Sequence, residues 1–255
     1  MKSKIHEYKK TNFKIMSKKL TVLLALISIS IASAQNWDKE KVKENGVQTT
    51  INRATESYDK IATTGSFNIE LVSGNEGAIT IKGDENIINY IVTEVIDNEL
   101  KVYFKKNKSY NYKQEITIII PFEEISEISF TGSGNMITKN AIIASDFEVK
   151  MAGSGDCTLE INAKNIVANI AGSGNLNLSG TVENLEAKTA GSGDLNCDKL
   201  ISQNADVAVS GKGSLEVNCT NNLIARVAGS GNIRYKGKPK TIDTKVAGSG
   251  DISGN

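Results

Sequence analysis

In the second half of the chain, apolar residues recur two positions apart, in short runs that each lead into a Gly-x-Gly. Counting six, four and two positions back from the first Gly of each copy gives Ser126/Ile128/Phe130, Phe147/Val149/Met151, Ile166/Ala168/Ile170 and Leu185/Ala187/Thr189. The series continues with Ala205/Val207/Val209, Leu223/Ala225/Val227 and Ile242/Thr244/Val246, and 18 of these 21 positions are apolar. A period of two with one apolar face predicts strands half buried in a core. The positions four beyond the Gly (Met136, Cys157, Leu176, Leu195, Leu215, Ile233, Ile252) and six beyond (Thr138, Leu159, Leu178, Cys197, Val217, Tyr235) keep the same alternation. Each copy therefore predicts a strand, a tight turn, a second strand and a polar loop.

The turn reads Gly-Ser-Gly-Asn/Asp, with glycine pairs Gly132/Gly134, Gly153/Gly155, Gly172/Gly174, Gly191/Gly193, Gly229/Gly231 and Gly248/Gly250, and a variant Gly211-Lys212-Gly213-Ser214. Both glycines of each pair are expected to serve as structural turn residues. Successive copies lie 21, 19, 19, 20, 18 and 19 residues apart. Such a period is the mark of a solenoid, whose coils bury their inner faces only by stacking. Like residues then sit over like, roughly 4.8 Å apart, in parallel strands. The expected fold class is all-β, a single-stranded parallel β-helix. An apolar residue every six positions, which left-handed hexapeptide helices need, is absent; this favours a right-handed or flattened two-sheet coil. Glycine suits a corner that needs positive φ, and two glycines let adjacent rungs approach closely.

Strands are also expected earlier, at Phe67–Leu71, Ala78–Ile81, Ile91–Val95, Leu100–Phe104 and Ile116–Ile120, with turns at Asp97-Asn98 and Gly74-Asn75. Residues 35–57 are polar and predict a loose lead-in. Residues 1–34 have the form of an export signal. Met16-Ser17-Lys18-Lys19 is a basic start, and Met16 is a candidate true start. Leu20 to Ile31 is an apolar run interrupted by Thr21, Ser28 and Ser30, and Ala32-Ser33-Ala34 supplies a cleavage pattern before Gln35. The run is shorter than the roughly 20 residues of a membrane-spanning helix. No Cys follows the cleavage site, so a lipid anchor there is not indicated. The expected organisation is a signal over 1–34, a lead-in over 35–57, and one continuous domain with early coils over 58–131 and regular repeats over 132–255.

Without residues 1–34 the chain has 23 basic and 28 acidic residues, a net charge of −5, and no histidine, since His6 is the single one. That excludes Ser-His-Asp and Cys-His catalysis and His-ligated metals. An acidic balance also argues against a nucleic-acid partner. Cys157, Cys197 and Cys219 have inward parity and read as small core residues, with Cys197–Cys219 the one plausible bridge.

Outward positions form columns. Five before each Gly stand Glu127, Glu148, Val167, Glu186, Asp206, Ile224 and Asp243; three before stand Ser129, Lys150, Asn169, Lys188, Ala208, Arg226 and Lys245. These columns predict surface ion pairs of small energy. One before stand Thr131, Ala152, Ala171, Ala190, Ser210, Ala228 and Ala247, a strip of small residues that either makes room for the turn or packs on a partner. Three after stand Asn135, Asp156, Asn175, Asp194, Ser214, Asn232 and Asp251, expected as a stacked polar ladder. Calcium at Asp156, Asp194 and Asp251 is the alternative for that column, but the period and ligand charge do not suit it; no metal or cofactor is expected.

The chain resembles the family of "putative auto-transporter adhesin, head GIN domain" proteins, exported proteins common in Bacteroidetes. The resemblance rests on Tyr58-Asp59-Lys60-Ile61, the strands around Ile69 and Ile79, Leu100-Lys101-Val102, Pro121 leading into Ile125, the Gly-Ser-Gly-Asn/Asp series and Gly237-Lys238-Pro239, and it spans about 58–255. It implies a β-helix similar to pectin lyase-like proteins, no catalytic residues, and a role in cell adhesion. The expectation is an exported non-enzymatic, adhesin-like protein presenting a repetitive surface to a glycan or a surface protein. Its place would be the periplasm, the outer membrane or the cell exterior. The alternatives are a carbohydrate-active enzyme using Asp156 and Asp194 as its carboxylate pair, and an oligomeric envelope scaffold joined through the open coil at Asp251–Asn255.

Overall fold

The computed structural model describes residues 40–254. The signal expected over 1–34 lies outside them. From residue 41 onward the described residues form one compact unit. Strands are β1 (Glu40–Lys43), β2 (Gln48–Ala54), β3 (Lys60–Thr64), β4 (Asn68–Ser73) and β5 (Ala78–Asp84), then helix α1 (Glu85–Ile88) and strand β6 (Ile91–Ile96). Next come β7 (Glu99–Phe104), β8 (Lys108–Asn111), β9 (Thr117–Phe122), β10 (Glu127–Gly132), β11 (Asn135–Thr138) and β12 (Ile142–Gly153). The regular coils are β13 (Asp156–Gly172), β14 (Asn175–Gly191), β15 (Asp194–Gly211), β16 (Ser214–Gly229), β17 (Asn232–Gly237), β18 (Thr241–Gly248) and β19 (Asp251–Gly254).

The fold is a parallel β-solenoid. From β10 onward strands one coil apart pair parallel, with repeat equivalents opposite one another: Ile128↔Val149, Val149↔Ala168, Ala168↔Ala187, Ala187↔Val207, Val207↔Ala225 and Ala225↔Thr244. Past the turn, Met136, Cys157, Leu176, Leu195, Leu215, Ile233 and Ile252 stack likewise. These inward columns run through one core that continues into the early coils at Ile61, Ile69, Ile79 and Ile118.

The polar loop expected inside each repeat is present in the first and last, at residues 139–141 and 238–240, but in the four between them it is extended strand. β13 runs as 17 strand residues from one turn to the next. Its inward residues are Cys157, Leu159 and Ile161, then Ile166, Ala168 and Ile170. The parity slips once between Ile161 and Ile166, so the coil turns its second corner within extended backbone. At that corner Asn165 Nδ2 donates to Asp146 Oδ1 (2.7 Å), Asn184 to Asn165 (2.9 Å), Asn204 to Asn184 (2.9 Å) and Asn222 to Asn204 (2.8 Å). Thr241 Oγ1 extends the chain to Asn222 Oδ1 at 2.6 Å. Differences in repeat length show as register shifts between Asn177 and Ser179, between Cys197 and Ile201, and between Ser202 and Asn204, away from the glycine turns.

The early coils depart from chain order. β7 lies outside β3, and β9 outside β4, so both precede in space strands that precede them in sequence. The hairpin β6–β7 turns on Asp97 and Asn98, both with positive φ (51° and 60°), as a two-residue loop requires. The stretch read as a loose lead-in contains β1 and β2; β2 pairs antiparallel with β5 from Gln48↔Asp84 to Ala54↔Ala78. Its alternation of Thr, Asn and Arg hides the strand signal because only one side of it meets protein.

Asp84 joins these pieces. It is 1% exposed, caps α1 by accepting from Asn86 N (3.0 Å), and accepts from Gly46 N (2.7 Å) and Asn45 N (3.0 Å). Arg53 donates to the carbonyls of Ile88 (2.8 Å) and Ile91. Ile87 and Ile88 of α1 are fully buried.

All three cysteines are free and buried, so the Cys197–Cys219 bridge is not formed. Burial pushes the Cys157 and Cys197 thiols well above their ordinary value; for Cys197 the Asp198 carboxylate adds to the effect. Ser126, expected at an inward position, is exposed, and Ile125 takes its place in the core.

Candidate functional site

The turn is built by backbone crowding, and its two glycines are not equivalent. The first of each pair (Gly132, Gly153, Gly172, Gly191, Gly229 and Gly248) ends a strand, with φ between +118° and +145°. The second glycine of each pair (Gly134, Gly155, Gly174, Gly193, Gly231 and Gly250) carries no positive φ. What reserves these positions for glycine is contact with the rung beneath. A Cβ on Gly134 would lie 1.9 Å from the Phe67 carbonyl oxygen, and one on Gly193 2.3 Å from that of Gly174. For Gly231 the clash is with Gly213 O at 2.2 Å, and for Gly250 with Gly231 O at 2.0 Å. The first glycine meets both demands: a Cβ on Gly172, at φ +129°, would also lie 2.3 Å from the Gly153 oxygen. The physical reason for the division is that the chain bends once, at the first glycine, while both stack directly on the backbone of the coil beneath. The Gly153 carbonyl accepts from Ser173 N (2.9 Å) and Gly174 N (3.1 Å), locking rung to rung.

The column begins one coil earlier than the repeat suggests, at Gly65-Ser66-Phe67-Asn68. A Cβ on Gly132 would meet Gly65 O at 2.0 Å, and Asn135 N donates to Phe67 O at 3.0 Å. The signal was present as Gly-Ser-x-Asn, but β5 to β9 separate it from the next copy.

On the strand leading into the turn, the small strip and the column two residues earlier together line a groove of about 820 Å³ that runs from Thr131 to Ala247. Alanine supplies most of its floor. Lys150, Lys188, Arg226 and Lys245 stand along one side. The acidic column answers most of these cations. Lys150 Nζ lies 2.8 Å from Glu127 and 3.0 Å from Glu148; Lys188 pairs with Glu186, and Arg226 with Asp243. The hydrogen bond from Lys150, against the opposing effect of burial, holds Glu127 below the usual carboxylate range. The same carboxylates raise Lys150. The groove is therefore long, apolar at its floor and nearly charge-balanced along its rim. Among the described residues it has no gathered acid and base.

The strand after the turn presents a polar face. Asn175 Nδ2 donates to Asp156 Oδ1 (2.7 Å), and Asn135 Nδ2 to Asn68 Oδ1 (3.3 Å). Asp194 Oδ1 accepts from Ser214 N (2.8 Å), and Asn232 Oδ1 from Asp251 N (3.0 Å). The ladder is thus a set of rung-to-rung bonds, some through side-chain amides and some through backbone amides. Asp156 and Asp194 do not share a cleft. Asp156 lines a hollow of about 530 Å³ with Glu70 and Glu115, and Asp194 another of about 320 Å³ with Glu216 and Arg234. No group of three or more His, Cys, Asp or Glu side chains is gathered to hold a metal among the described residues.

Sequence reasoning overlooked the Asp146–Asn165–Asn184–Asn204–Asn222 ladder at the second corner. Its signal was available: the same offset, seven before each first Gly, carries Asp or Asn in five copies and Thr241 in the last.

A parallel β-solenoid with a regular outer groove along its coils is the class of protein these residues define. The chain belongs to the family "putative auto-transporter adhesin, head GIN domain", whose model matches residues 57–239. Among solved structures it is similar to a putative adhesin from Bacteroides fragilis, at 25% identity and TM-score 0.78, covering 84% of this chain and all of that one. It is also similar to a putative lipid binding protein from Parabacteroides distasonis (27% identity, TM-score 0.72, 85% of this chain and 100% of that one). A putative adhesin from Parabacteroides merdae shares the fold at 22% identity and TM-score 0.70, covering 85% and 99%. Among curated proteins none matches the chain.

Proposed function

We propose that the protein is an exported, non-enzymatic, adhesin-like solenoid whose alanine-floored groove receives an extended partner at the cell envelope. The observation that carries this reading is the groove itself, continuous from Thr131 to Ala247 along consecutive coils. Membership of an adhesin family and the signal-like start at 1–34 support it. The charge-balanced rim favours a neutral, elongated partner, such as a glycan chain or a protein strand, over a polyanion.

A second reading takes the same groove as a seat for the acyl chain of an amphiphile. Its apolar floor and the likeness to a protein described as lipid-binding favour it. Enzymatic use of Asp156 and Asp194 finds no support in the two separate hollows they line.

The test is protease shaving of intact cells with immunoblotting, followed by binding to glycan and matrix-protein arrays and to a fluorescent fatty acid. Ala171→Glu and Ala190→Glu put carboxylates on the groove floor while leaving the inward core alone. Loss of the band on shaving, and array binding lost in these variants, support the first reading. Fatty-acid binding lost in the same variants selects the second. Binding that ignores both substitutions removes the groove from the function. Full protection from shaving removes the surface role.

A further inference from the structure

The inward columns are sealed along the solenoid, but not at β18. Leu223 and Val227 are 1% and 2% exposed, whereas Ile242 and Val246, one rung further, are 47% and 42% exposed. β18 is held in register by β16, from Asn222↔Thr241 to Gly229↔Gly248. Along its other edge, no strand pairing is found among the described residues. A flat edge carrying exposed Ile and Val is a template for another strand. What covers it can be read from β18 itself.

We infer that β18 pairs antiparallel with β18 of a second copy of this chain, on a two-fold axis through Thr244. In that register Ile242 faces the partner's Val246, Val246 faces the partner's Ile242, and Thr244 faces the partner's Thr244. These residues share the inward face, so the two interiors close against each other. On the outward face Asp243 lies opposite the partner's Lys245, and Lys245 opposite the partner's Asp243. Centring on Ile242 or on Val246 shortens the overlap within β18 and leaves the other exposed apolar residue unopposed. Centring on Asp243 or on Lys245 sets like charges directly opposite, which is destabilising. A shift by half a step turns one copy's inward face outward. The contact is isologous and closes as a dimer. Arg226 already binds the Asp243 carboxylate from the neighbouring rung. The join thus continues the alternation of charges that Lys150, Glu127 and Glu148 show within one copy.

Sedimentation velocity of the protein over a micromolar range tests this, with circular dichroism as a check of fold. A dimer is expected. Lys245→Glu alone sets a carboxylate against the partner's Asp243 twice over, and should raise the dissociation constant at least tenfold. Asp243→Lys alone sets two lysines together and should do the same. Mixed in equal amounts, the two variants restore both opposite-charge pairs and should form a heterodimer. Thr244→Cys should cross-link under mild oxidation, because opposed Cα atoms at about 4.5–5.5 Å suit a disulfide. Thr241→Cys, which lies opposite the partner's Ala247, should not. A folded protein that stays monomeric overturns the inference. So does a dimer that ignores Lys245→Glu, a mixture that stays monomeric, or a Thr244→Cys chain that does not cross-link.

Discussion

At the residue scale, small geometric differences decide which substitutions the chain tolerates. Gly172→Ala places a Cβ at positive φ and 2.3 Å from a backbone oxygen that cannot move without moving a rung. It should cost about 2 kcal/mol or more in urea unfolding, above the roughly 1 kcal/mol of an ordinary glycine. The Glu127–Lys150 pair tests electrostatics on the outer face. Glu127 is held below its ordinary value of 4.5, chiefly by the Lys150 hydrogen bond, so its contribution is present above that value and fades as pH falls through the folded-state value. Lys150 is raised above 10.5 by its bonds to Glu127 and Glu148, so its share persists below that value and fades as pH rises past it. Lys150→Met should therefore destabilise most between those limits, by under about 1 kcal/mol because the pair is exposed. Chemical denaturation at pH 7 and pH 3 should show the gap between variant and parent shrinking in acid.

At the element scale, the corner ladder holds a bend that strand propensity alone does not favour. Asn184 accepts from Asn204 and donates to Asn165. Asn184→Leu leaves both neighbours without that partner and should cost about 1–2 kcal/mol. The effect should exceed that of Asn177→Leu, whose amide reaches Thr158 only at 3.5 Å. Asp84 plays the comparable part in the early coils, where one carboxylate serves backbone amides from two segments and caps α1. Asp84→Ala should lower thermal stability more than removal of any single rim carboxylate, since it takes one acceptor from three backbone amides at once and leaves a gap where a buried side chain stood. Both were accessible to sequence reasoning only as polar residues at a recurring or capping position. Their partners come from segments 19 to 39 residues away.

At the scale of the whole molecule, the repeat makes stability nearly one-dimensional, each coil contacting its neighbours. Deleting residues 173–191, the 19 residues between equivalent points of two turns, joins Gly172 to Ser192 in the same motif. That variant should remain folded, with native-like circular dichroism and a modestly lower Tm. Deleting residues 173–181 removes half a coil, sets inward columns against outward ones, and should abolish cooperative unfolding.

The chain by itself determined the period, the inward columns, the glycine turns and the family, because each depends on residues adjacent in sequence or repeated at a fixed offset. Eighteen apolar positions in register leave few folds that can bury them. Tertiary structure alone decided the rest. It gave positive φ to the first glycine of each pair and left the second to rung contact. It placed β7 and β9 outside β3 and β4, made β2 a strand, aligned the asparagines at the second corner, and put Asp156 and Asp194 in different hollows. It also showed which inward residues stay uncovered, Ile242 and Val246. The physical reason is common to all of these. Alternation specifies that a strand has a buried face, but the neighbour that buries it is chosen by backbone pairing between distant segments, and pairing leaves no mark on local periodicity.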